Sequence, residues 1–393
     1  MKYFLSPNAC LKRLEAPSIY RTDTDELYEL DDESFGFLVR CASAAGCEGS
    51  DPRFIGFCLE EGLLGSVHSG PRPPASQSPV PSLRYLELQI TSRCNLRCRH
   101  CYIDGAGSRE LGLVQVRRVL EEFQEMQGLR VLITGGEPLL HTGFSAINDL
   151  LPGFFLRKVL FTNGLLLTGR ILDALNVDEI QVSVDGLEEG HDALRGEGTF
   201  TRAIAAISAA RERGFEVSVS TMVHAKNLDD FDGMEKLFAG LGVRDWTVDV
   251  PCMTGRFGAN PGFAVSPEAA GRYLGYGRNA GMHAGGTGYG CGPHLMSISA
   301  DGRAAKCTFY ADRAAGSVDE GLRTCWERIR PVRLDELSCD CDFLEECRGG
   351  CRYRAELLGD PKGKDLYRCS LYGIMETRTG TKPEDPRKGG AEQ

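Results

Sequence analysis

Between residues 83 and 251, short apolar runs recur at regular intervals, with amphipathic stretches in the gaps between them. Six of these runs, LRYLELQI, RVLITG, KVLFTN, EIQVSVD, EVSVSTMV and DWTVDVP, are aliphatic and β-branched, and each has the length of a strand. VQVRRVLEEFQEM and FTRAIAAISAARERG repeat their apolar positions at helical spacing. Alternation of this kind predicts parallel strands joined by right-handed crossovers.

Upstream the pattern differs. SIYRT and ELYEL are short alternating runs around a polar turn, as in a β-hairpin. Asp31 or Asp32 caps a helix, DESFGFLVRCASAAG, with Phe35, Leu38 and Val39 on one face. Asp51 before Pro52 opens a second helix, DPRFIGFCLEEGLL. Residues 1–65 therefore read as a small winged-helix-like α+β unit. Residues 66–82, rich in Pro and Ser, read as a linker that separates it from the strand-and-helix unit at 83–285, so the first unit should be removable. A cysteine-rich region follows at 286–376, in which SISADGRAAKC reads as a hairpin with an Asp-Gly turn. A Lys-, Gly-, Pro- and Glu-rich tail at 377–393 is expected to be disordered.

Composition narrows the function classes. The 393 residues are 42% hydrophobic and 25% charged, as in an ordinary soluble globular protein. A formal net charge of −10 argues against general nucleic-acid or anionic-membrane binding. The first unit is itself acidic, which makes DNA a poor partner for it. No run approaches the ~18 apolar residues of a membrane span. The start, MKYFLSPNACLKRLEAP, lacks the features of a signal peptide, so the expected location is cytoplasmic. Sixteen cysteines in a reducing compartment point to metal rather than to disulfides.

The densest chemistry lies at residues 91–104, TSRCNLRCRHCYID, where Cys94, Cys98 and Cys101 follow the first strand in a CxxxCxxC spacing. Three thiolates in one loop can cap three irons of a cubane cluster and leave the fourth iron open. Zinc would want four protein ligands, or three with a water. At these residues the chain resembles the radical S-adenosylmethionine (SAM) enzymes, with Tyr102 at the aromatic position beside the last cysteine. The resemblance implies a partial (β/α)6 TIM barrel and a [4Fe–4S] cluster. Its open iron would chelate SAM, and reductive cleavage of SAM would give a 5′-deoxyadenosyl radical. Gly135, Gly136, Glu137 and Pro138 match the family's GGEP motif after the second strand. Asn163 follows the third strand, and Ser183 and Asp185 end the fourth. By resemblance these residues lie near SAM, and Arg195 in HDALRGEGTF would pair with the SAM carboxylate, which suits an arginine fork.

The second cysteine field resembles the SPASM extension, which carries auxiliary iron–sulfur clusters. Carried over by position, Cys291, Cys307 and Cys351 would hold one cluster, and Cys339, Cys341, Cys347 and Cys369 a second. Cys339–Asp340–Cys341 departs from the family's CxxC. Cys252, in VPCMTGR, is open as a fourth ligand of the first cluster, whereas Cys325 beside Trp326 reads as core. Cys10, Cys41, Cys47 and Cys58 also read as core. Residues 1–65 resemble the small recognition domain of pyrroloquinoline quinone biosynthesis, which binds the leader of a ribosomally made precursor peptide. The implied function is radical modification of such a peptide, with electrons from a donor such as flavodoxin or ferredoxin. A SPASM enzyme acting on a tetrapyrrole side chain is the alternative. A non-catalytic electron carrier would have no use for the SAM-pocket residues.

Overall fold

The computed structural model describes residues 1–103, 108–277 and 288–374. The expected boundary at 285–286 and the tail from 377 lie outside the described residues. The first 65 residues fold around a core of their own, with Ile19, Leu38, Cys41, Cys58 and Leu63 buried in it. A short strand β1 (Phe4–Leu5) precedes a three-stranded antiparallel sheet of β2 (Ala9–Arg13), β3 (Pro17–Arg21) and β4 (Glu26–Glu29). Helices α1 (Asp32–Cys41) and α2 (Pro52–Glu60) follow. The Asp31 carboxylate accepts from Ser34 N at 2.7 Å, and Asp51 accepts from Arg53 N at 2.9 Å, so both expected N-caps form. Strand β5 (Leu64–Gly65) pairs with β1 and closes the unit.

Two details differ from the sequence reading. Val39 is 45% exposed, and Phe37 takes its place in the core. The hairpin gains β2, whose Lys12 is buried and donates to Gly128 O at 2.7 Å. A lysine inside a strand hides that strand from any test of apolar alternation.

The linker is a strap. Arg72 donates to Ser6 O and Pro7 O at 2.8 Å each, Ser78 N donates to Arg13 O at 2.9 Å, and Gln77 Nε2 donates to Leu14 O at 2.8 Å. The segment runs beside β2 and covers one edge of the small sheet. The opposite edge, β4, pairs only with β3 among the described residues.

All six expected strands form, within two residues of their predicted ends: β6 (Tyr85–Thr91), β7 (Arg130–Gly135), β8 (Arg157–Thr162), β9 (Glu179–Ser183), β10 (Glu216–Met222) and β11 (Asp245–Asp249). They are parallel and paired in sequence order. Between them lie α3 (Leu113–Glu125), α4 (Phe144–Leu150), α5 (Glu188–Arg195), α6 (Thr199–Glu212) and α7 (Phe231–Gly240). On the outer side of β6 sits β12 (Leu295–Ile298), also parallel, followed by the antiparallel β13 (Arg303–Ala305) and β14 (Gly316–Ser317). The sheet thus has nine strands, and the expected Asp-Gly hairpin supplies β12 and β13, with Gly302 in the left-handed region at φ +79°.

The first unit is seated on the amino-terminal ends of the parallel strands. Arg157, fully buried at the start of β8, donates to the carbonyls of Thr22 (3.0 Å) and Asp23 (2.8 Å) in the β3–β4 turn. Its other nitrogen binds Glu179 (2.8 Å) and Glu216 at the starts of β9 and β10. Arg244 donates to Thr24 O at 2.8 Å, and Arg130 pairs with Asp25. Leu14 and Tyr20 pack on Leu129. The turn of the small sheet therefore forms the floor under the strands, and the unit is docked rather than loosely tethered.

Beyond β14 come α8 (Leu322–Arg328), α9 (Arg352–Leu357) and α10 (Leu366–Leu371). Cys325 and Trp326 are buried in α8, as a core role requires.

Candidate functional site

In sheets of this topology chemistry gathers at the carboxyl ends of the strands, and here those ends are stitched into a ring. Strand β6 runs directly into the three-cysteine loop. Gly136 N donates to Thr91 O at 2.8 Å and Glu137 N to Arg93 O at 2.7 Å, which joins the loop to the end of β7. A Cβ on Gly135 would overlap Thr91 O, and one on Gly136 would overlap Arg93 O. Only glycine allows that approach.

The Glu137 carboxylate is fully buried and does not face the cavity. It accepts from Thr162 Oγ1 (2.9 Å), Asn163 N (2.9 Å) and Leu139 N (3.3 Å), tying β7 to β8. Burial raises its carboxyl to about 7 against the pull of these donors. Asn163 Nδ2 in turn donates to Asn95 Oδ1 of the cysteine loop at 2.8 Å. At the next strand ends Asp185 is the hub. Met222 N donates to its carboxylate at 2.7 Å, and Arg195 Nε does so at 2.5 Å. Burial alone would raise the Asp185 carboxyl, but Arg195, His100 and His191 hold it below the usual carboxylate range. Arg195 Nη1 lies 3.9 Å from Cys98 Sγ.

HDALRGEGTF folds as the end of α5 and the start of α6. Asp192 accepts from Gly198 N (2.6 Å) and Phe200 N (2.8 Å), and that turn holds Arg195 inward. The segment after β11 closes the ring, with Arg256 N donating to Cys101 O at 3.0 Å.

Within the ring opens a cavity of about 930 Å³. Cys94, Cys98, Cys101, Tyr102, Gly135, Gly136, Asn163, Ser183 and Arg195 line it, as does Cys252. Glu137, Pro138 and Asp185 stand behind the lining as supports. Tyr102 faces the cysteine-rich side, with its ring 5.2 Å from that of Phe309.

His100 was missed in the sequence, although it directly precedes Cys101. It lines the same cavity, its Nδ1 is buried without a partner among the described residues, and burial lowers its imidazole to about 3, so it is neutral at physiological pH.

The later cysteines gather into two sets. Cys339, Cys341, Cys347 and Cys369 line one small cavity, so the CxC spacing still delivers Cys339 to its group. Burial, together with the nearby thiols of Cys291 and Cys351, pushes the Cys307 thiol up. Cys252 and Cys351 share a hydrogen bond, which raises the Cys252 thiol and lowers that of Cys351. Among the described residues no three His, Cys, Asp or Glu side chains close on a single ion. Among the described residues no helix is long and apolar enough to cross a membrane.

Residues 88–238 match the Radical SAM superfamily. The AdoMet-dependent heme synthase of Oleidesulfovibrio alaskensis is 30% identical over 201 residues, 48% of this chain and 52% of that protein. Mycofactocin maturase MftC of Mycobacterium tuberculosis is 27% identical over 313 residues, 70% of this chain and 80% of the maturase. The chain spans about half the length of the first curated relatives it matches. Streptococcus suis SuiB bound to precursor peptide SuiA shares the fold, with a TM-score of 0.69 over 93% of this chain and 100% of that one, at 13% identity. The matched residues 88–238 thus include the three-cysteine loop and the ends of β6 to β10 around the cavity.

Proposed function

We propose that the chain modifies a ribosomally made peptide by hydrogen abstraction, with SAM and a [4Fe–4S] cluster at Cys94, Cys98 and Cys101. The observation that carries this reading is the cavity onto which all three thiols open, beside Gly135 and Gly136, where a Cβ would drive into the backbone of the cysteine loop. The His100 Nδ1 in its wall, unpartnered among the described residues, suits a polar ligand. When bound, the cluster and SAM supply reductive cleavage of SAM to a 5′-deoxyadenosyl radical. The chain does the rest. Gly135 and Gly136 bring backbone to the SAM amine, Arg195 offers its guanidinium to the carboxylate, and Asn163, Ser183, His100 and Tyr102 orient the remainder. Glu137, Pro138 and Asp185 keep these groups in place.

The two further cysteine sets suit auxiliary [4Fe–4S] clusters, one at Cys252, Cys291, Cys307 and Cys351, the other at Cys339, Cys341, Cys347 and Cys369. Its contact with Cys351 supports Cys252 as the fourth member of the first set. Reconstituted wild type should hold about 12 Fe per chain. Cys252→Ala and Cys339→Ala should each lower that number or change an auxiliary EPR signal, while substrate-free SAM cleavage persists. Unchanged iron and spectra would make the replaced cysteine a bystander.

The peptide reading draws on residues 1–65 as a recognition domain and on the names of MftC and of SuiB with its precursor peptide. The free edge of β4 suits an extended leader by β-augmentation. Leu30 N donates to Pro17 O, so by alternation the amides of Leu27 and Glu29 point outward. Phe57 and Leu59 are exposed on α2 nearby, with the Phe57 ring 5.6 Å from Tyr28. Glu26 and Glu29 make the edge acidic, which favours a leader carrying Lys or Arg. Glu29→Pro removes one outward N–H from an exposed edge residue, where proline is tolerated. It should weaken leader binding by about tenfold in fluorescence anisotropy on the full chain, while substrate-free SAM cleavage is kept.

The heme synthase relative favours a second reading, a tetrapyrrole-type small molecule. Wild-type chain that fails to bind a candidate leader at ~100 μM would make that reading the better one. Either reaction needs a one-electron donor such as flavodoxin or ferredoxin, in keeping with a cytoplasmic enzyme.

A further inference from the structure

A charged triad lies between the cavity and the later cysteines. Arg354, in α9, is almost fully buried. Its Nη1 donates to Asp249 Oδ1 at 2.7 Å and to Val250 O at 3.0 Å, and its Nη2 donates to Asp365 Oδ2 at 2.9 Å. Asp249 ends β11 and lines the cavity. The fully buried Asp365 accepts from Cys351 N at 2.7 Å. It also precedes α10, and its carbonyl accepts from Cys369 N at 3.0 Å. Cys351 belongs to one cysteine set and Cys369 to the other, so a single carboxylate residue touches both. The turn between Cys347 and Cys351 is shaped to reach it. Gly350 lies at φ +64°, and a Cβ there would meet the Asp365 side chain at 2.6 Å.

A buried guanidinium between two carboxylates gives little net stability compared with a well-packed apolar group. What it does give is fixed geometry and a fixed charge. The triad carries one net negative charge beside Cys351, and cluster potentials respond to net charge and to hydrogen bonding around the sulfurs. We infer that Arg354 is a positioning residue that locks both cysteine sets to the end of β11, and that the Asp249–Arg354–Asp365 triad sets the reduction potential of the cluster at Cys351. The inference rests on the two-auxiliary-cluster reading above.

The test uses the reconstituted full chain without substrate. Asp249→Asn keeps the shape and the Arg354 contact but removes one negative charge. Iron should stay near ~12 per chain. One auxiliary couple should become easier to reduce by about a factor of ten, or ~59 mV upward for one electron, with the SAM-loop couple unmoved. Arg354→Lys keeps the charge but loses the fork. It should cost auxiliary iron, leaving ~4 to 8 per chain with the SAM-loop EPR signal intact. Full iron in Arg354→Lys together with unshifted potentials in Asp249→Asn would overturn the inference. Wild type holding only ~4 irons would instead remove the two-cluster reading itself, before any variant is compared.

Discussion

Replacing Cys94, Cys98 and Cys101 together by alanine is expected to remove about four irons per chain and all SAM cleavage, while the fold survives. The loop is anchored by backbone bonds that do not involve the thiols: Gly136 N to Thr91 O, Glu137 N to Arg93 O, Arg99 N to Leu194 O and Arg256 N to Cys101 O. Cys94 is exposed, and truncating it opens no core. Iron analysis and chromatography of 5′-deoxyadenosine after dithionite reduction check the outcome. Residual 5′-deoxyadenosine from the triple variant would mean that the catalytic loop is misassigned.

Arg157→Met should be the most damaging single change outside the cysteines, at a cost of about 3–5 kcal/mol. The substitution leaves Glu179 buried without its direct ion-pair partner, and Glu216 keeps only Arg244 among the pairs described. It also strands the Thr22 and Asp23 carbonyls. Denaturant unfolding of the apo protein measures the effect, and a loss below ~1 kcal/mol would show that the floor contributes little. Deletion of residues 1–65 should be worse still, because it uncovers Leu129, Arg157 and the Gly128 carbonyl at once. Such a truncation cannot serve as a neutral test of peptide binding. The Glu29 substitution can.

How much of this could be read from the sequence depended on distance along the chain. Cys94, Cys98 and Cys101 lie within eight residues, and GGEP is contiguous, so their grouping needs no knowledge of the fold. The six strands announced themselves because each carries Val, Ile or Leu on its core face, as with Ile180, Val182, Val217 and Val219, while the polar residues between them, Gln181, Ser218 and Ser220 among them, line the cavity. Lys12 hid β2, since its burial depends on a carbonyl 116 positions away. Arg157 and Glu179 looked like ordinary strand-end charges until the small unit was laid over them. The contact of Cys252 with Cys351 and that of Asp249 with Arg354 each span about a hundred residues, and no spacing rule reaches so far. His100 is adjacent to Cys101 and so legible in principle, but only its burial in the cavity wall separates it from an ordinary loop histidine.

The floor position of the small unit has a consequence for reach. Strand β6 is seven residues long, about 23 Å at ~3.3 Å per residue, and the cavity mouth lies at its far end. A peptide gripped at β4 must climb that height along the outer wall before any residue can enter the mouth. At full extension this takes roughly seven residues. The docked unit would therefore work as a ruler: positions close to the gripped segment stay untouched, and the first modifiable residue is set by the height of the sheet rather than by its own identity.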